Sequence, residues 1–257
     1  MSSASRRVIL KLAYLGAGFR GFARQPGERT VEGVIIETMR KRGLLRGRPR
    51  AEVSSRTDSG VSALENVYAI DVDREFDLWE INEALPEDVV AWGLAWTDPS
   101  FSPRRACRRK VYAYVVESGI PAEMLDWAIK EVLARPPGPL CREGIPGRVK
   151  VEVRAGLLYH LVLAEGDRFC QHMIRRIVGS ALNLILTGKS RVVTAPPEGL
   201  ILLRTFCEGI DIREERRWLK KIEKRLSGLS RLGGVAAIMN SFISSERLPF
   251  WFPRRTT

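Results

Sequence analysis

The sequence is poor in the residues that build metal sites and covalent crosslinks. Its 257 residues include four cysteines and two histidines, and no two cysteines form a C-x-x-C pair. Structural zinc sites and disulfide scaffolds rely on closely spaced cysteine or histidine residues, so the sequence predicts neither. We therefore expect no bound metal, and thiols that stay reduced in a cytoplasmic protein.

Long apolar runs are also missing. The longest uncharged stretch, residues 232–245, is too short to cross a bilayer. The apolar run near the N-terminus is interrupted by Lys11, and no small-residue cleavage site follows it. The sequence therefore predicts neither a signal peptide nor a membrane partner.

Acidic charge is scarce relative to basic charge. The chain carries 42 Lys and Arg against 30 Asp and Glu, a formal net charge of +12. Residues 40–50 and residues 104–110 are densely basic, and the second run precedes a predicted strand with Tyr112 and Tyr114. Basic side chains interleaved with aromatic ones are typical of RNA-binding surfaces. For each run, a solvated charged face is the alternative interpretation.

The hydrophobic pattern divides the chain into two similar halves. Each reads as a strand, a helix, two strands, a second helix and a closing strand. In the first half these are residues 7–15, 30–42, 51–55, 67–72, 78–85 and 89–95. In the second half they are residues 110–117, 121–134, 149–155, 157–164, 168–186 and 200–207. The order is ferredoxin-like, so we predict an α+β fold in which two βαββαβ units form one extended antiparallel sheet with helices on one face.

We expect three regions along the chain. Residues 1–102 would form an N-terminal ferredoxin-like domain, residues 103–210 a C-terminal one, and residues 211–257 a basic helical extension. Four apolar side chains of the extension share one helical face among basic residues: Trp218, Leu219, Ile222 and Leu226. This helix is either a surface helix with solvated charges or one that contacts RNA.

A glycine motif follows the first predicted strand. Gly16, Gly18 and Gly21 have the G-x-G-x-x-G spacing of dinucleotide-binding proteins. In such proteins the last glycine opens a helix, whereas here residues 22–29, with a proline among them, separate it from the next predicted helix. The sequence therefore argues against nicotinamide or flavin binding.

The most unusual segment is residues 54–63, SSRTDSGVSA, between two predicted strands. It is small, polar and turn-forming, with Arg56 and Asp58 two residues apart and Gly60 allowing a tight backbone. One interpretation is a surface turn capped by Asp58. The other is a loop that aims the Asp58 carboxylate into a cleft, where neighbouring guanidinium groups keep it ionised.

Five ordered motifs between residues 14 and 200 resemble those of one family. RTDSGV at residues 56–61 is similar to the Arg-Thr-Asp-Ala-Gly-Val signature of the tRNA pseudouridine synthase A family. The segment at residues 169–179 resembles that family's Phe-x-x-His-Met-Val-Arg helix, and three further motifs lie in residues 14–31, 82–114 and 195–200. The chain departs from the family at Leu15, where Asp is usual, and at Ser62, where His is common.

The resemblance implies an enzyme that isomerises uridine to pseudouridine in the tRNA anticodon stem-loop, at positions 38 to 40. It implies no cofactor and no metal, and a homodimer that binds tRNA. Asp58 would be the catalytic nucleophile, attacking either C1′ of the ribose or C6 of the base.

The resemblance also assigns substrate contacts. Tyr112 would stack on the flipped uracil and assist removal of the C5 proton. Arg56 and Arg175 would hold Asp58 ionised and contact phosphate. Further RNA-binding candidates lie in the matching motifs and the second basic run: Arg24, Arg104, Arg108, Arg109, Lys110 and His172.

The alternative is a non-catalytic RNA-binding protein with a double ferredoxin-like sheet. Asp58 discriminates between the two, because a binding module gains nothing from an acid in an RNA cleft. DNA binding is less favoured, since the sequence has neither a helix-turn-helix nor a zinc pattern.

Overall fold

The computed structural model describes residues 6–117, 119–135, 140–141, 147–227 and 233–244. Their strands form one sheet. The strands are β1 (Arg6–Tyr14), β2 (Ala51–Val53), β3 (Ser62–Val72), β4 (Val89–Thr97), β5 (Arg109–Glu117), β6 (Val149–Arg154), β7 (Tyr159–Gly166), β8 (Leu200–Phe206) and β9 (Arg213–Glu214). The α-helices are α1 (Val31–Lys41), α2 (Leu78–Asn82), α3 (Pro103–Ala106), α4 (Ala122–Leu133), α5 (Met173–Thr187), α6 (Leu219–Ser227) and α7 (Gly233–Ser244).

The two halves share one strand order. The first half runs β2-β3-β1-β4 across the sheet, and the second runs β6-β7-β5-β8. This confirms the predicted α+β fold with two βαββαβ units. The strand pairs are antiparallel except at the junction, where β3 and β8 pair in parallel through Ser62 with Ile201 and Ala63 with Leu202.

The junction has room for a loop because β2 is short. Its three residues pair only with Tyr68–Ile70 of β3, so β8 lies beside the start of β3 instead. The connection between β2 and β3, residues 54–61, therefore emerges where the two halves meet. This position brings Asp58 close to side chains of the second half.

Helix α1 forms as the sequence predicts. Thr30 is its N-cap, and the Thr30 hydroxyl accepts a hydrogen bond from the Gly33 amide at 3.2 Å. Val31, Ile35 and Met39 lie one helical turn apart and are fully buried against the sheet. The cap and the apolar face thus fix both the start of the helix and the side it buries.

Helices of the two halves cover one face of the sheet, and the extension covers the other. The first face packs against α1, α2, α4 and α5, as predicted. The opposite face packs against Leu219, Ile222 and Leu226 of α6 and against α7. The Lys221 ammonium donates hydrogen bonds to the carbonyl oxygens of Asn82 and Leu85, at 2.6 and 2.7 Å. The described part of the extension is therefore a second packing layer, and residues 245–257 lie outside the described residues.

Helix α5 begins later than predicted. The sequence pattern placed its start at residue 168, whereas the structure starts it at Met173. His172, its N-cap, has a φ of 58°, in the left-handed region that non-glycine residues rarely adopt. This conformation keeps residues 167–172 out of the helix.

The expectation of reduced thiols is wrong. Disulfide bonds join Cys107 to Cys207 and Cys141 to Cys170, across 100 and 29 residues of sequence. Sequence spacing could not reveal these pairs because the fold alone brings the partners together: Cys107 precedes β5, and Cys207 follows its neighbour β8. Among the described residues, no helix is both long and apolar enough to span a membrane.

Candidate active site

A buried hydrogen-bond network holds the loop that carries Asp58. The Asn66 side-chain amide donates to the Tyr14 hydroxyl at 3.0 Å and to the Ser55 carbonyl at 2.8 Å, while its oxygen accepts from the Ser54 hydroxyl. The Tyr14 hydroxyl in turn bonds the Thr57 hydroxyl at 2.8 Å. Asn66 and Tyr14 are fully buried. Since buried polar groups are costly to leave unpaired, the network fixes the backbone immediately before Asp58.

The glycine motif supports the same loop and forms no nucleotide cradle. A Cβ on Gly16 would lie 2.3 Å from the Val61 carbonyl group, so only glycine permits this approach. Gly21 has a φ of +98°, and the amide of the next residue, Phe22, donates to the Thr57 carbonyl at 3.1 Å. The Gly16 amide also donates to the Ser62 hydroxyl at 3.0 Å, which gives a role to one departure from the family pattern.

Asp58 lies between two cationic or potentially cationic side chains from α5 and its N-cap. Its Oδ2 accepts a hydrogen bond from Arg175 Nη1 at 3.0 Å and lies 3.3 Å from His172 Nε2. The Arg175 Nε donates to the Ala195 carbonyl at 2.8 Å, which fixes the guanidinium. The Asp58 side chain is 27% exposed. A restrained, solvent-accessible carboxylate of this kind can act as a nucleophile.

The irregular segment before α5 shapes the site. The left-handed conformation of His172 turns the chain so that His172 faces Asp58. Phe169, three residues earlier, packs its ring edge-to-face against Tyr112, with centroids 5.0 Å apart. We do not expect a regular helix that starts at residue 168 to place both His172 against Asp58 and Phe169 against Tyr112. The point at which the sequence pattern mispredicted the helix is thus part of the site.

Tyr112 is held by a serine that sequence reasoning missed. Its hydroxyl lies 2.5 Å from the Ser55 hydroxyl, and only 7% of the residue is exposed. Burial raises the pKa of Tyr112 to about 12, although the hydrogen bond with Ser55 acts in the opposite direction. Nothing in the local sequence singles out Ser55, because it is one small polar residue in a polar turn.

A cavity of about 920 Å³, the Asp58 cavity, opens beside these residues. Ser55, Asp58, Tyr112 and His172 line it. It is also lined by five basic side chains: Arg56, Arg104, Arg108, Lys110 and Arg168. With Asp167 and Phe169, which also line it, the cavity offers two carboxylates, two aromatic rings and a strongly positive wall.

Lys110 is the buried member of this positive wall. Its Nζ donates hydrogen bonds to the carbonyl oxygens of Cys107 at 2.8 Å and Arg108 at 3.3 Å. Burial lowers the pKa of Lys110 to about 8, against the opposing influence of Asp167. Its charge therefore changes close to neutral pH.

The other residues that the sequence suggested as RNA contacts differ in whether they line the Asp58 cavity. Arg56 lines the cavity but forms no ion pair with Asp58; Arg175 makes that contact. Arg109 lies outside the cavity lining, where it pairs with Glu165 at 3.2 Å and stacks on Phe206. Arg24 lines a separate cavity. Among the described residues, no group of three or more His, Cys, Asp or Glu side chains is arranged to hold a metal ion.

Curated relatives align with this sequence over most of its length. A Thermococcus onnurineus protein named tRNA pseudouridine synthase A is 31% identical over 245 residues, which cover 86% of this chain and 92% of that protein. The chain belongs to the tRNA pseudouridine synthase A family. Proteins of the same name from Methanothrix thermoacetophila and Pyrococcus abyssi are 33% and 34% identical, over 95% and 86% of this chain and 100% and 92% of theirs. No protein-family model matches the chain.

Proposed function

We propose that this chain is a tRNA pseudouridine synthase that isomerises uridine 38, 39 or 40 of the anticodon stem-loop. The coarse activity, that of an isomerase acting on tRNA, follows from family membership. The finer assignment and the proposed homodimer rest on the motif resemblance. The proposed division into residues 1–102, 103–210 and 211–257 rests on the hydrophobic pattern, and the proposed cytoplasmic location on the tRNA-modifying relatives.

The observation that carries the proposal is the setting of Asp58. The carboxylate lies at the junction of the two halves, 3.0 Å from the Arg175 guanidinium and facing a cavity lined by arginines. A binding surface for RNA would be weakened by a carboxylate at this point, since phosphate and carboxylate repel each other. A covalent catalyst, by contrast, can use a carboxylate as its nucleophile.

Asp58 is the proposed nucleophile. Its attack forms an ester bond to C1′ of the ribose or a bond to C6 of the uracil; the N1–C1′ bond breaks, and the C5–C1′ bond forms after the base has rotated. The carboxylate is regenerated when C5 displaces it from C1′ or when it leaves C6. The proton on C5 leaves and N1 gains one, so the reaction needs no external oxidant or reductant. The contacts with Arg175 and His172 both involve Oδ2, and no described residue hydrogen-bonds Oδ1, which leaves that oxygen for the substrate.

Tyr112 and Ser55 are the proposed proton-handling pair. With a pKa of about 12, the Tyr112 phenol is neutral at physiological pH, and its hydroxyl lies 2.5 Å from Ser55. Proton removal from C5 by Tyr112 therefore requires the phenol to pass its own proton to the Ser55 hydroxyl, which in turn releases one to solvent in the cavity that both residues line. Tyr112 lines the Asp58 cavity, so its ring can contact a uracil that is flipped into this cavity.

The positive wall is the proposed contact surface for the RNA backbone. Arg104, Arg108, Lys110 and Arg56 would bind phosphates near the flipped nucleotide, and Arg175 and His172 would orient Asp58. Arginine suits this purpose because its planar guanidinium binds phosphate oxygens in a bidentate manner.

Mapping the modified base tests the proposal. A tRNA transcript with uridines at 38, 39 and 40 is incubated with the protein, treated with a carbodiimide and copied by primer extension. We expect stops at one or more of these positions. Pseudouridine elsewhere in the tRNA would refute the position assignment. Tight binding without any pseudouridine would favour the non-catalytic RNA-binding protein.

A further inference from the structure

A second basic cavity lies away from Asp58 in the first half. This arginine cavity has a volume of about 730 Å³. It is formed by the loop before α1, the last turn of α1 and the loop after it. The lining residues are Arg24, Gln25, Pro26, Arg40, Gly47 and Arg48. Arg40 Nη2 donates to the Gly47 carbonyl at 2.6 Å, which ties the end of α1 to the loop.

The arginines of this cavity are not neutralised by the described part of the protein. Arg24, Arg40 and Arg48 are all exposed, and none forms an ion pair with a described carboxylate. Other arginines of the same half do: Arg29 pairs with Asp88, and Arg74 with Glu80. Three uncompensated guanidinium groups around one concave surface favour an anionic ligand that supplies the missing charge.

A third cavity connects this surface to the reaction site. It has a volume of about 440 Å³, shares Gln25 with the arginine cavity, and shares Arg56, Asp58 and His172 with the Asp58 cavity. Arg20 adds a further positive side chain to its lining. The third cavity therefore adjoins both of the others, and together they form a basic path that passes Asp58.

We propose that the arginine cavity binds backbone phosphates of the same RNA whose target nucleotide lies at Asp58. The proposal rests on the proposed function, because Asp58 identifies which ligand enters the path. Continuity favours a polymer over a small anion: a free phosphate would need only one cavity, whereas a nucleic acid strand carries a phosphate on every nucleotide along the path. Arg24, Arg40 and Arg48 are its binding residues.

Salt-dependent binding tests this assignment. The dissociation constant for a full tRNA transcript is measured between about 50 and 200 mM salt for the wild-type protein and for Arg40→Gln/Arg48→Gln. Loss of two phosphate contacts should reduce the slope of log affinity against log salt by roughly 1.4 to 1.8. At the lowest salt concentration, we expect the double variant to bind tRNA at least about fivefold more weakly.

Arg42→Gln/Arg46→Gln is the matched control. These arginines lie in the same segment and are equally exposed, but they do not line the cavity. The control should keep the wild-type slope within about 0.5. Arg24→Gln removes a lining charge from a different loop, so it reproduces part of the effect even if the double variant disturbs the loop after α1.

The outcomes separate this inference from the proposed function. Equal slopes and affinities for the double variant and its control would overturn the inference, whether the cavity binds a free anion or nothing. If the wild-type protein binds tRNA but forms no pseudouridine, the proposed function fails instead. A reduced slope in both Arg40→Gln/Arg48→Gln and Arg24→Gln, with the control unchanged, supports the inference.

Discussion

The two halves of the molecule share a strand order but differ in the loop between their second and third strands. In the first half this loop is residues 54–61, which carry Asp58 and lie at the junction between the halves. In the second half it is residues 155–158, at the outer end of the sheet, where Leu157 and Leu158 are 94% and 68% exposed. The loop between the second and third strands therefore lies against the other half of the molecule in the first half and is exposed to solvent in the second.

The second helix of the first half, α2, and that of the second half, α5, differ in length and in what they contribute to the site. Helix α2 of the first half has five residues, whereas α5 of the second half has fifteen and presents Arg175 to the opposite half. The site is thus assembled from one loop of the first half and from β5 and α5 of the second. Position at the junction between the halves, more than the ferredoxin-like order itself, therefore creates the site.

The largest expected effect comes from removing the acid of the loop at the junction. Asp58→Asn keeps the size of the side chain but leaves a poor nucleophile, so turnover should fall by about 10⁴-fold or more while tRNA affinity and fold are nearly unchanged. Asp167→Asn is the control, since Asp167 lines the same cavity. Turnover of Asp58→Asn within tenfold of wild type would rule out Asp58 as the nucleophile.

The contribution of β5 is tested by Tyr112→Phe. The variant keeps the ring and loses the hydroxyl that contacts Ser55, so the single-turnover rate should fall by about a hundredfold while tRNA affinity and melting temperature are kept. Tyr114→Phe is the control, because Tyr114 lies on the same face of β5 and its hydroxyl bonds the Pro196 carbonyl instead. A drop in melting temperature with normal chemistry would assign Tyr112 to the core alone.

Variants of Arg175 on α5 and of Arg56 distinguish a residue that orients Asp58 from one that binds tRNA. Arg175→Gln removes the guanidinium 3.0 Å from Asp58 and should lower the rate at saturating tRNA by about ten- to a hundredfold. Arg56→Gln should mainly raise the dissociation constant for tRNA, since Arg56 lines the cavity without pairing with Asp58. The reverse pattern in single-turnover measurements would show that Arg56 orients the nucleophile.

The smallest expected effect concerns Lys110 and pH. With a pKa of about 8, the Lys110 amine is mostly charged at pH 7 and mostly neutral at pH 9. If it contributes charge to RNA binding, tRNA affinity should weaken by about three- to tenfold over this range. Lys110→Arg stays charged and should remove this pH dependence. An identical pH profile in both proteins would show that Lys110 only supports the carbonyl groups it contacts.

The regular elements of the fold could be predicted because their signals are local. Helix α1 combines an N-cap with apolar residues at helical spacing, and both depend only on neighbouring residues. The start of α5 could not be predicted in this way, because His172 adopts a left-handed conformation and contacts Asp58, while Phe169 before it packs against Tyr112. Functional sites are where such local rules are expected to fail.

Contacts between residues that are far apart in sequence could not be predicted either. The disulfides join cysteines 100 and 29 residues apart, and the contact of Ser55 with Tyr112 joins the two halves. Asp58 itself was identified because its motif is contiguous in sequence.

Tritium release from a tRNA transcript made with 5-tritiated uridine directly tests whether this chain forms pseudouridine and needs Asp58 to do so. Formation of the C5–C1′ bond displaces the hydrogen from C5, so each pseudouridine formed releases one tritium atom into water. The account predicts release approaching one to three equivalents per tRNA with wild-type protein, according to how many of uridines 38 to 40 react, and none with Asp58→Asn. Saturating tRNA binding by the wild-type protein without tritium release would contradict it.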